Sequence, residues 1–396
     1  MQITDFSVSR LPRIEFGAGA LARLPVIARQ YGTRALLVTG SSSFKHSPFW
    51  ETVTNGLAAQ GISWTHLAIP GEPSPQMIDE AVHSQRGNPV DVVIGIGGGS
   101  ALDAAKAIAG LLKPGNSVMD HLEGVGPELP YIGPATPFIA VPTTAGTGSE
   151  ATKNAVLSVQ GADGFKKSFR DEKLVAEVAL VDPDLLVTCP PAVIAANGMD
   201  AFTQLLESYI SSRAAPLTDS LAWGGMKAAR DGLLALYTDS NNAAARERMA
   251  YAALVSGITL AQVGLGSVHG LAAPLGAFFP IPHGVACGTL VASATRLNID
   301  TLLAREPTHP ALEKYAQAGR LLSKQGGLSL ADARAALLDT LEAWTRTLSL
   351  PTLAHYGVTH ADIPRIVANS RGSSMKTNPV MLTGSEIAAI LEPRIH

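Results

Sequence analysis

Short apolar runs in the first half of the chain alternate with segments whose apolar residues recur at helical spacing. Since these runs are apolar on both faces, they are typical of strands in a buried parallel sheet. Strands that alternate with helices in this way predict a doubly wound α/β sheet. The predicted strands are Arg34–Gly40, Asp91–Gly97, Pro137–Thr143 and Val178–Asp182, and the predicted helices between them include Met77–Arg86 and Ala101–Leu112.

The second half of the chain has a different pattern, in which long segments rich in alanine and leucine follow a period of 3.6 residues. The change comes after Asp182, and strand-like runs are scarce beyond it. We therefore predict an α/β domain over residues 1–188 and an all-helical domain over residues 189–396. The predicted helices are Ala192–Ser212, Ser220–Leu236, Ala243–Gln262, Pro310–Gln325 and Leu330–Leu348.

The length and composition of the chain fit two globular domains with a small-molecule partner. Its 396 residues exceed what a single hydrophobic core usually supports. Hydrophobic residues make up 46% and charged residues 16% of the chain, which is typical of a globular protein. The net charge of −3 provides no basic field that would attract nucleic acid or an acidic membrane.

We expect a cytoplasmic protein without a membrane partner. The N-terminal residues lack a basic region followed by an apolar one, so no signal peptide is predicted. The most apolar stretch, Ala252–Gly266, is too short to span a bilayer. Two cysteines, Cys189 and Cys287, do not make a disulfide framework. A homo-oligomer is expected, and a dimer is the commonest closed assembly.

A glycine-rich turn follows the strand at Asp91–Gly97 and leads into a helix. Glycines let a ligand approach the backbone, and the free N–H groups at a helix N-terminus attract phosphate. The same glycines also fit a purely structural turn. The third glycine of the usual dinucleotide fingerprint is missing, and Asp120, about twenty residues on, has no strand to carry it to a ribose. The turn consists of Gly97, Gly98, Gly99 and Ser100.

A second polar loop, 142–150, follows the strand at Pro137–Thr143. At the C-terminal edge of the same sheet, its hydroxyl and backbone groups would face the crevice where such sheets bind ligands. The alternative is a turn of glycine and threonine that only caps the next element. Because this loop comes beside the glycine-rich turn, we favour ligand binding.

Carboxylate, amide and imidazole groups in the second half have a spacing that suits a metal site. Asp200 and Gln204 lie four residues apart on a predicted helix and so share one face. His269 and His283 follow in glycine-containing segments. Such donors suit Zn²⁺ or Fe²⁺, and a catalytic site leaves one position open for substrate. A histidine taken singly is more often a core or surface residue, and spacing alone does not decide between these interpretations.

Together, these segments resemble the iron-containing (group III) alcohol dehydrogenase family over essentially the whole chain. Several long motifs occur in the order that the family has them. The motifs are FGAGA at 16–20, GGGSALDAAK at 97–106, VPTTAGTGSE at 141–150, NGMDA at 197–201, GLGSVHGLAAPLG at 264–276 and PHG at 282–284.

The resemblance implies a Rossmann-like N-terminal domain, a helical C-terminal domain and NAD(P) bound in the cleft, an architecture shared with dehydroquinate synthase. By position, Gly97–Ser100 would hold the pyrophosphate of the cofactor, and Thr143 and Thr144 would lie on its adenosine side. Asn154 would lie near the substrate. Further cofactor contacts are implied for Asp103, Thr147, Thr152 and Lys166, with Lys167 as the alternative to Lys166.

The resemblance also implies that Asp200, His269 and His283 bind the metal and form the catalytic centre. The family usually has a histidine at the position of Gln204. A glutamine offers a neutral carbonyl oxygen, which is a weaker ligand than imidazole, so we expect Gln204 to complete a site of reduced affinity. A second histidine, often found near the nicotinamide in this family, is Ala273 here, so a proton relay through it cannot operate.

The end of the first predicted strand bears on the choice of cofactor. It runs into Gly40, Ser41 and Ser42, where relatives that prefer NAD tend to have an aspartate. A carboxylate there would accept a hydrogen bond from the ribose 2′-OH and repel a 2′-phosphate. Its absence, with Lys45 nearby, favours NADP(H), and use of both NAD(H) and NADP(H) is the alternative. The serines also fit a helix cap.

The predicted function is reversible hydride transfer between NAD(P) and a small alcohol or the corresponding aldehyde or ketone, assisted by Fe²⁺ or Zn²⁺. Three alternatives stay open. Gln204 and Ala273 leave room for a metal-independent reductase like the maleylacetate reductases. A non-redox lyase like dehydroquinate synthase shares the architecture, and a nucleotide-binding protein without catalysis is the third alternative.

Overall fold

Six parallel strands form the sheet of the first of two units. A computed structural model describes residues 5–396, and Ser9–Val159 with Gly164–Cys189 make up this unit. The strands are β1 Arg13–Phe16, β2 Arg34–Gly40, β3 Ser63–Ile69, β4 Val92–Gly97, β5 Phe138–Pro142 and β8 Val178–Val181, with a separate hairpin of β6 Asn154–Val159 and β7 Phe165–Arg170. Their order across the sheet is β1, β8, β5, β4, β2, β3, and all neighbours are parallel.

Helices cover both faces of this sheet, and each face has its own apolar core. Leu36 and Val93 point into one core, whereas Leu37 and Ile94 point into the other. Successive residues of a strand alternate between the faces, so a strand with apolar neighbours on both sides is apolar throughout. The predicted doubly wound α/β fold is therefore confirmed. The helices of this unit are α1 Leu24–Arg29, α2 Phe49–Ala59, α3 Pro75–Ser84 and α4 Gly99–Leu111.

Four strands of this unit were not predicted, because none of them is buried on both faces. β1 and β3 are the edges of the sheet, and in β3 only Ile69 is fully buried. The hairpin of β6 and β7 is half-exposed and carries Lys166 and Lys167 in β7. Edge and hairpin strands with one solvated face lack the continuous apolar run on which the predictions rested.

The second unit is built from helices and comprises residues 5–8, 160–163 and 190–396 of the part that the structure describes. Its helices are α5 Pro191–Ile210, α6 Pro216–Thr238, α7 Ala243–Val263, α8 Ser267–Phe278, α9 His283–Arg305, α10 Pro310–Ser323, α11 Leu330–Thr347, α12 Ile363–Ala368 and α13 Gly384–Leu391. The predicted helical character is confirmed. α8 and α9 were not predicted, because α8 and the first half of α9 are rich in small and apolar residues that are buried nearly all round, which leaves no polar face there.

No single helix between residues 5 and 396 is long and apolar enough to cross a bilayer. The pair of α7 and α8 passes the same test of length and composition when taken together, although the two are bent by 101°. Most residues of both helices are buried.

Glycines allow helices of the second unit to pack backbone against backbone. A Cβ atom at Gly319 in α10 would lie 1.7 Å from the carbonyl oxygen of Ala333 in α11. Non-bonded heavy atoms normally keep about 3.5 Å or more between them. A side chain at position 319 would therefore force α10 and α11 apart.

We predict that Gly319→Ala destabilises the protein by about 1–3 kcal/mol, the usual cost of overpacking, despite the better helix propensity of alanine. The matched control is Gly326→Ala, because a Cβ atom there meets nothing within 4 Å. Urea unfolding followed by circular dichroism measures both. An unchanged midpoint for Gly319→Ala would mean that the two helices do not pack this closely.

Candidate functional site

Four side chains of the helical unit bring metal-binding atoms together. Asp200 comes from α5, His269 from α8, and His283 and Cys287 from α9. One ligand atom from each residue lies within 4.8 Å of those of the other three. Asp200, His269 and Cys287 are buried, and His283 is half-buried. The structure thus brings together three of the four residues predicted to bind a metal and adds a cysteine; Asp200, His269, His283 and Cys287 form the donor cluster.

The start of α8 is fixed by buried side chains, and this determines where its histidine lies. The backbone N–H of Val268 donates to Glu207 Oε1 over 2.7 Å, and that of Ser267 donates to Asn378 Oδ1 over 3.1 Å. Two of the free N–H groups at the helix N-terminus are satisfied in this way. At Gly266 a Cβ atom would lie 2.8 Å from Glu207 Oε1, so glycine is needed for this close approach.

Glu207 also sets the orientation of His269. The ring Nδ1 of His269 lies 2.7 Å from Glu207 Oε2, and its Nε2 faces Asp200 Oδ1 at 3.2 Å. A carboxylate behind a metal-binding histidine accepts the Nδ1–H and leaves Nε2 free to bind the metal. No role was predicted for this positioning residue from the sequence. Its spacing of seven from Asp200, two turns along α5, was the signal that could have found it.

Cys287 reaches the cluster from the same face of α9 as His283, which lies four residues earlier. Its Sγ lies 3.5 Å from His269 Nε2 and 3.7 Å from His283 Nε2. His283 Nε2 lies 3.8 Å from Asp200 Oδ1. No role was predicted for Cys287 from the sequence, although its spacing of four residues from His283 places the two side chains on one face of a helix.

The charges of the donor cluster favour a positive charge among its ligand atoms. Burial alone would raise the pKa of Asp200, but His283 and His269 outweigh it and hold that pKa below its ordinary value. Burial also opposes a charged His269, yet Cys287, Asp200 and Glu207 raise its pKa well above the ordinary value. Burial raises the pKa of the Cys287 thiol to about 12. A divalent cation can supply this positive charge in place of protons, since metal and proton compete for the same atoms.

One buried oxygen of the cluster, Asp200 Oδ2, has no hydrogen-bond partner among the described residues. Leaving such a group unpaired costs on the order of 1–3 kcal/mol, and more when it is charged. A bound ion can satisfy a buried polar group that no protein atom contacts. The carboxylate, imidazole and thiol donors of the cluster therefore fit a divalent metal ion.

Gln204 lies one turn after Asp200 on α5 and is buried. Its Oε1 accepts a hydrogen bond from Ser256 Oγ at 2.7 Å. One lone pair of the predicted ligand atom is therefore directed at a hydroxyl group, and metal binding by Gln204 stays a prediction. Ala273 lies in α8, one turn after His269, and has no group that could transfer a proton.

In the α/β unit, the two loops predicted to bind the cofactor lie side by side. Gly97 ends β4, and α4 begins at Gly99. The N–H of Thr143 donates to the carbonyl oxygen of Gly97 at 2.9 Å. A Cβ atom at Gly99 would lie 2.7 Å from Thr147 Cγ2, and one at Gly98 would lie 3.4 Å from the side chain of Thr144. Gly99 is thus needed for the loops to meet at the N-terminus of a helix of 13 residues, where a phosphate group can bind.

A buried lysine supports the second loop through hydrogen bonds. Lys106 Nζ lies 2.8 Å from Ser149 O, 2.9 Å from Thr152 Oγ1 and 2.9 Å from Asn154 O. Burial lowers the pKa of Lys106 to about 8, although Asp103 and Glu150 oppose that shift. Asp103 accepts a hydrogen bond from Ser149 Oγ at 2.5 Å. The structure therefore gives Asp103 and Thr152 a part in supporting the loop, and their direct contact with a cofactor stays a prediction.

The remaining predicted residues of this unit are either exposed at its surface or partly buried. Lys166 Nζ forms an ion pair with Glu72 Oε1 at 2.5 Å. Ser41 and Ser42 are exposed after β2, and the space around a Cβ atom at Gly40 is open. These positions leave room for a ribose or its phosphate at the end of β2.

Comparison with known proteins agrees with the geometry of both units. Residues 12–183 match the family model of iron-containing alcohol dehydrogenase, and residues 194–395 match that of the C-terminal part of the Fe-containing alcohol dehydrogenase family. The chain is 30% identical over 397 residues to an NAD-dependent methanol dehydrogenase of Bacillus methanolicus, covering 98% of this chain and 99% of that one.

The chain is also 32% identical over 358 residues to lactaldehyde reductase of Escherichia coli K12, covering 89% of each chain. A solved structure of a 1,3-propanediol oxidoreductase superposes with a TM-score of 0.89 at 28% identity, covering 99% of this chain and 100% of that one. The resemblance found in the sequence is thereby confirmed over both halves. The chain belongs to the iron-containing alcohol dehydrogenase family.

Proposed function

We propose that the protein transfers hydride reversibly between NAD(P) and a small alcohol or the corresponding carbonyl compound, with a divalent metal bound by Asp200, His269 and His283. The observation that carries this proposal is the buried donor cluster, in which Glu207 turns His269 Nε2 towards Asp200. The relatives described above act, by their names, on a simple alcohol or aldehyde. The match to alcohol dehydrogenase models favours an oxidoreductase over the lyase alternative.

When bound, the metal and the nicotinamide supply Lewis-acid polarisation of the substrate oxygen and hydride exchange with the adjacent carbon. The residues of the chain prepare the site for this chemistry. Asp200 brings the negative charge that a cation needs, and Glu207 keeps the Nδ1 proton of His269 away from the other donors. Burial of Asp200 and His269 excludes water, which strengthens every electrostatic interaction at the site.

In the α/β unit we assign the pyrophosphate of the cofactor to Gly97–Ser100 and its adenosine side to Thr143 and Thr144. The N–H groups at the start of α4 support this assignment, because they carry the positive end of the helix dipole. No acidic residue occurs in 40–43 at the end of β2, so nothing there repels a 2′-phosphate. We therefore propose NADP(H) as the favoured cofactor, with NAD(H) also used.

We further propose a homodimer in the cytoplasm. Both cysteines of the chain are free thiols, which fits a reducing compartment. The dimer rests on the general preference of homo-oligomers for two-fold symmetry.

We predict that Asp200→Asn lowers kcat/KM by at least about 100-fold, since it removes the charge of a metal ligand while keeping its shape. Reduced-nicotinamide absorbance measures turnover, and elemental analysis measures bound metal. Asp339→Asn is the matched control, because Asp339 is exposed on α11. A chelator should abolish activity and added Fe²⁺ or Zn²⁺ should restore it. Full activity of metal-free protein would contradict the proposal and favour the metal-independent reductase.

The choice of cofactor is tested by placing a carboxylate at the end of β2. Gly40→Asp should lower the ratio of kcat/KM for NADP⁺ over NAD⁺ by about tenfold or more, because the carboxylate repels a 2′-phosphate and accepts a hydrogen bond from a 2′-OH. Gly40→Asn has nearly the same shape without the charge, so it should leave the ratio close to that of the wild type. Equal losses with both cofactors in Gly40→Asp would show that the ribose does not bind there.

A further inference from the structure

We propose that the thiolate of Cys287 is the fourth protein ligand of the metal, in place of a side chain at position 204, and that it makes the site selective for zinc over iron. This inference rests on the proposed metal-assisted function. It assigns a role to a residue that the family motifs do not contain, in a chain whose Gln204 departs from the family pattern.

The distances between the donor atoms support a site that includes the sulfur. Zinc–sulfur and zinc–nitrogen bonds of about 2.3 and 2.0 Å, in tetrahedral coordination, separate sulfur from nitrogen by about 3.5 Å. In the structure, Cys287 Sγ lies 3.5 Å from His269 Nε2 and 3.7 Å from His283 Nε2. The nitrogen-to-oxygen distances, 3.2 and 3.8 Å from Asp200 Oδ1, lie on either side of the tetrahedral value of about 3.3 Å.

Burial and hydrogen bonding distinguish Cys287 from Gln204. Cys287 is fully buried, and its side chain makes hydrogen-bond contacts with the two histidines and with Asp200, all of them members of the cluster. The amide oxygen of Gln204 instead accepts a hydrogen bond from Ser256. The unpaired Oδ2 of the buried Asp200 is an independent sign that a cation belongs among these donors.

The chemistry of the donors determines which metal they prefer. When the cation binds, the thiol proton is released to solvent, so the thiolate and Asp200 together balance the charge of a divalent ion. Thiolate is a soft ligand, and sets of sulfur and nitrogen donors favour zinc, whereas iron in such enzymes is held by imidazole and carboxylate. Zinc can take a fifth ligand, so the substrate oxygen still has a place to bind.

Cobalt(II) is the probe that tests the thiolate directly, because a cobalt–thiolate bond gives a charge-transfer band in the near ultraviolet. Metal-depleted wild-type protein is titrated with Co²⁺. We expect one equivalent to bind with this band, Cys287→Ser to lose the band and to bind cobalt at least about tenfold more weakly, and Cys189→Ser to keep both properties. Cys189 is the other cysteine of the chain and lies outside the donor cluster, in the α/β unit.

The outcomes separate this inference from the proposed function. One equivalent of cobalt bound without the band overturns the role of Cys287 and leaves the metal-assisted function in place. No binding of Co²⁺, Zn²⁺ or Fe²⁺ by an active wild-type enzyme overturns both. The wild-type spectrum tests the role of Cys287 even if circular dichroism shows that Cys287→Ser is unfolded. Loss of the metal in Gln204→Ala, with full retention in Cys287→Ser, would also overturn the inference.

Selectivity is measured by anaerobic competition between equal concentrations of Zn²⁺ and Fe²⁺, followed by elemental analysis. Zinc binds more tightly than iron to most sites, so the readout is the change in the ratio of bound zinc to bound iron between variants. We expect Cys287→Ser to lower that ratio at least about tenfold and Cys189→Ser to leave it unchanged. An equal ratio in the wild type and Cys287→Ser would overturn the zinc preference.

Discussion

Glu207 forms hydrogen bonds with both the backbone and a side chain of α8, and the geometry of the donor cluster depends on these two contacts. One of its oxygens accepts the N–H of Val268 at the start of the helix, and the other accepts the ring N–H of His269. Because Glu207 is only 5% exposed, both hydrogen bonds lie where the local dielectric is low and charged hydrogen bonds are strong. α5 thus carries Asp200, which faces the donors directly, and Glu207, which acts on them through His269. A rotation of α5 about its axis would displace both carboxylates together.

The elements that could be predicted from the sequence are those whose surroundings stay the same from one end to the other. β2 was predicted with its observed bounds, Arg34–Gly40, because it lies inside the sheet with an apolar core on each face. β3 lies at the edge of the sheet. Exposed residues recur along it between partly buried ones, so it has no continuous apolar run. α8 contains Pro274 and is buried nearly all round, so it has neither a good helix sequence nor an amphipathic pattern. The secondary structure of such segments depends on the residues that pack against them in the folded chain.

The donor cluster was predictable only as far as its residues stand out by type and motif. Asp200, His269 and His283 lie in recognisable motifs, and the structure brings them together. Glu207 and Cys287 do not stand out, because a helical glutamate is usually a surface residue and a buried cysteine is usually part of the core. The family pattern drew attention to position 204, whereas the atoms nearest the histidines include a sulfur one turn beyond His283.

The hydrogen bonds of Lys106 have a consequence for recombination between related enzymes. Its ammonium group, on α4, holds oxygen atoms of Ser149, Thr152 and Asn154, which come from a segment more than forty residues later in the chain. A chimera that took α4 from one parent and the following loop from another would leave this charge buried without its partners wherever the loop placed these oxygen atoms differently, which is strongly destabilising. The two segments therefore need to come from the same parent, and crossover points that preserve the fold lie outside them.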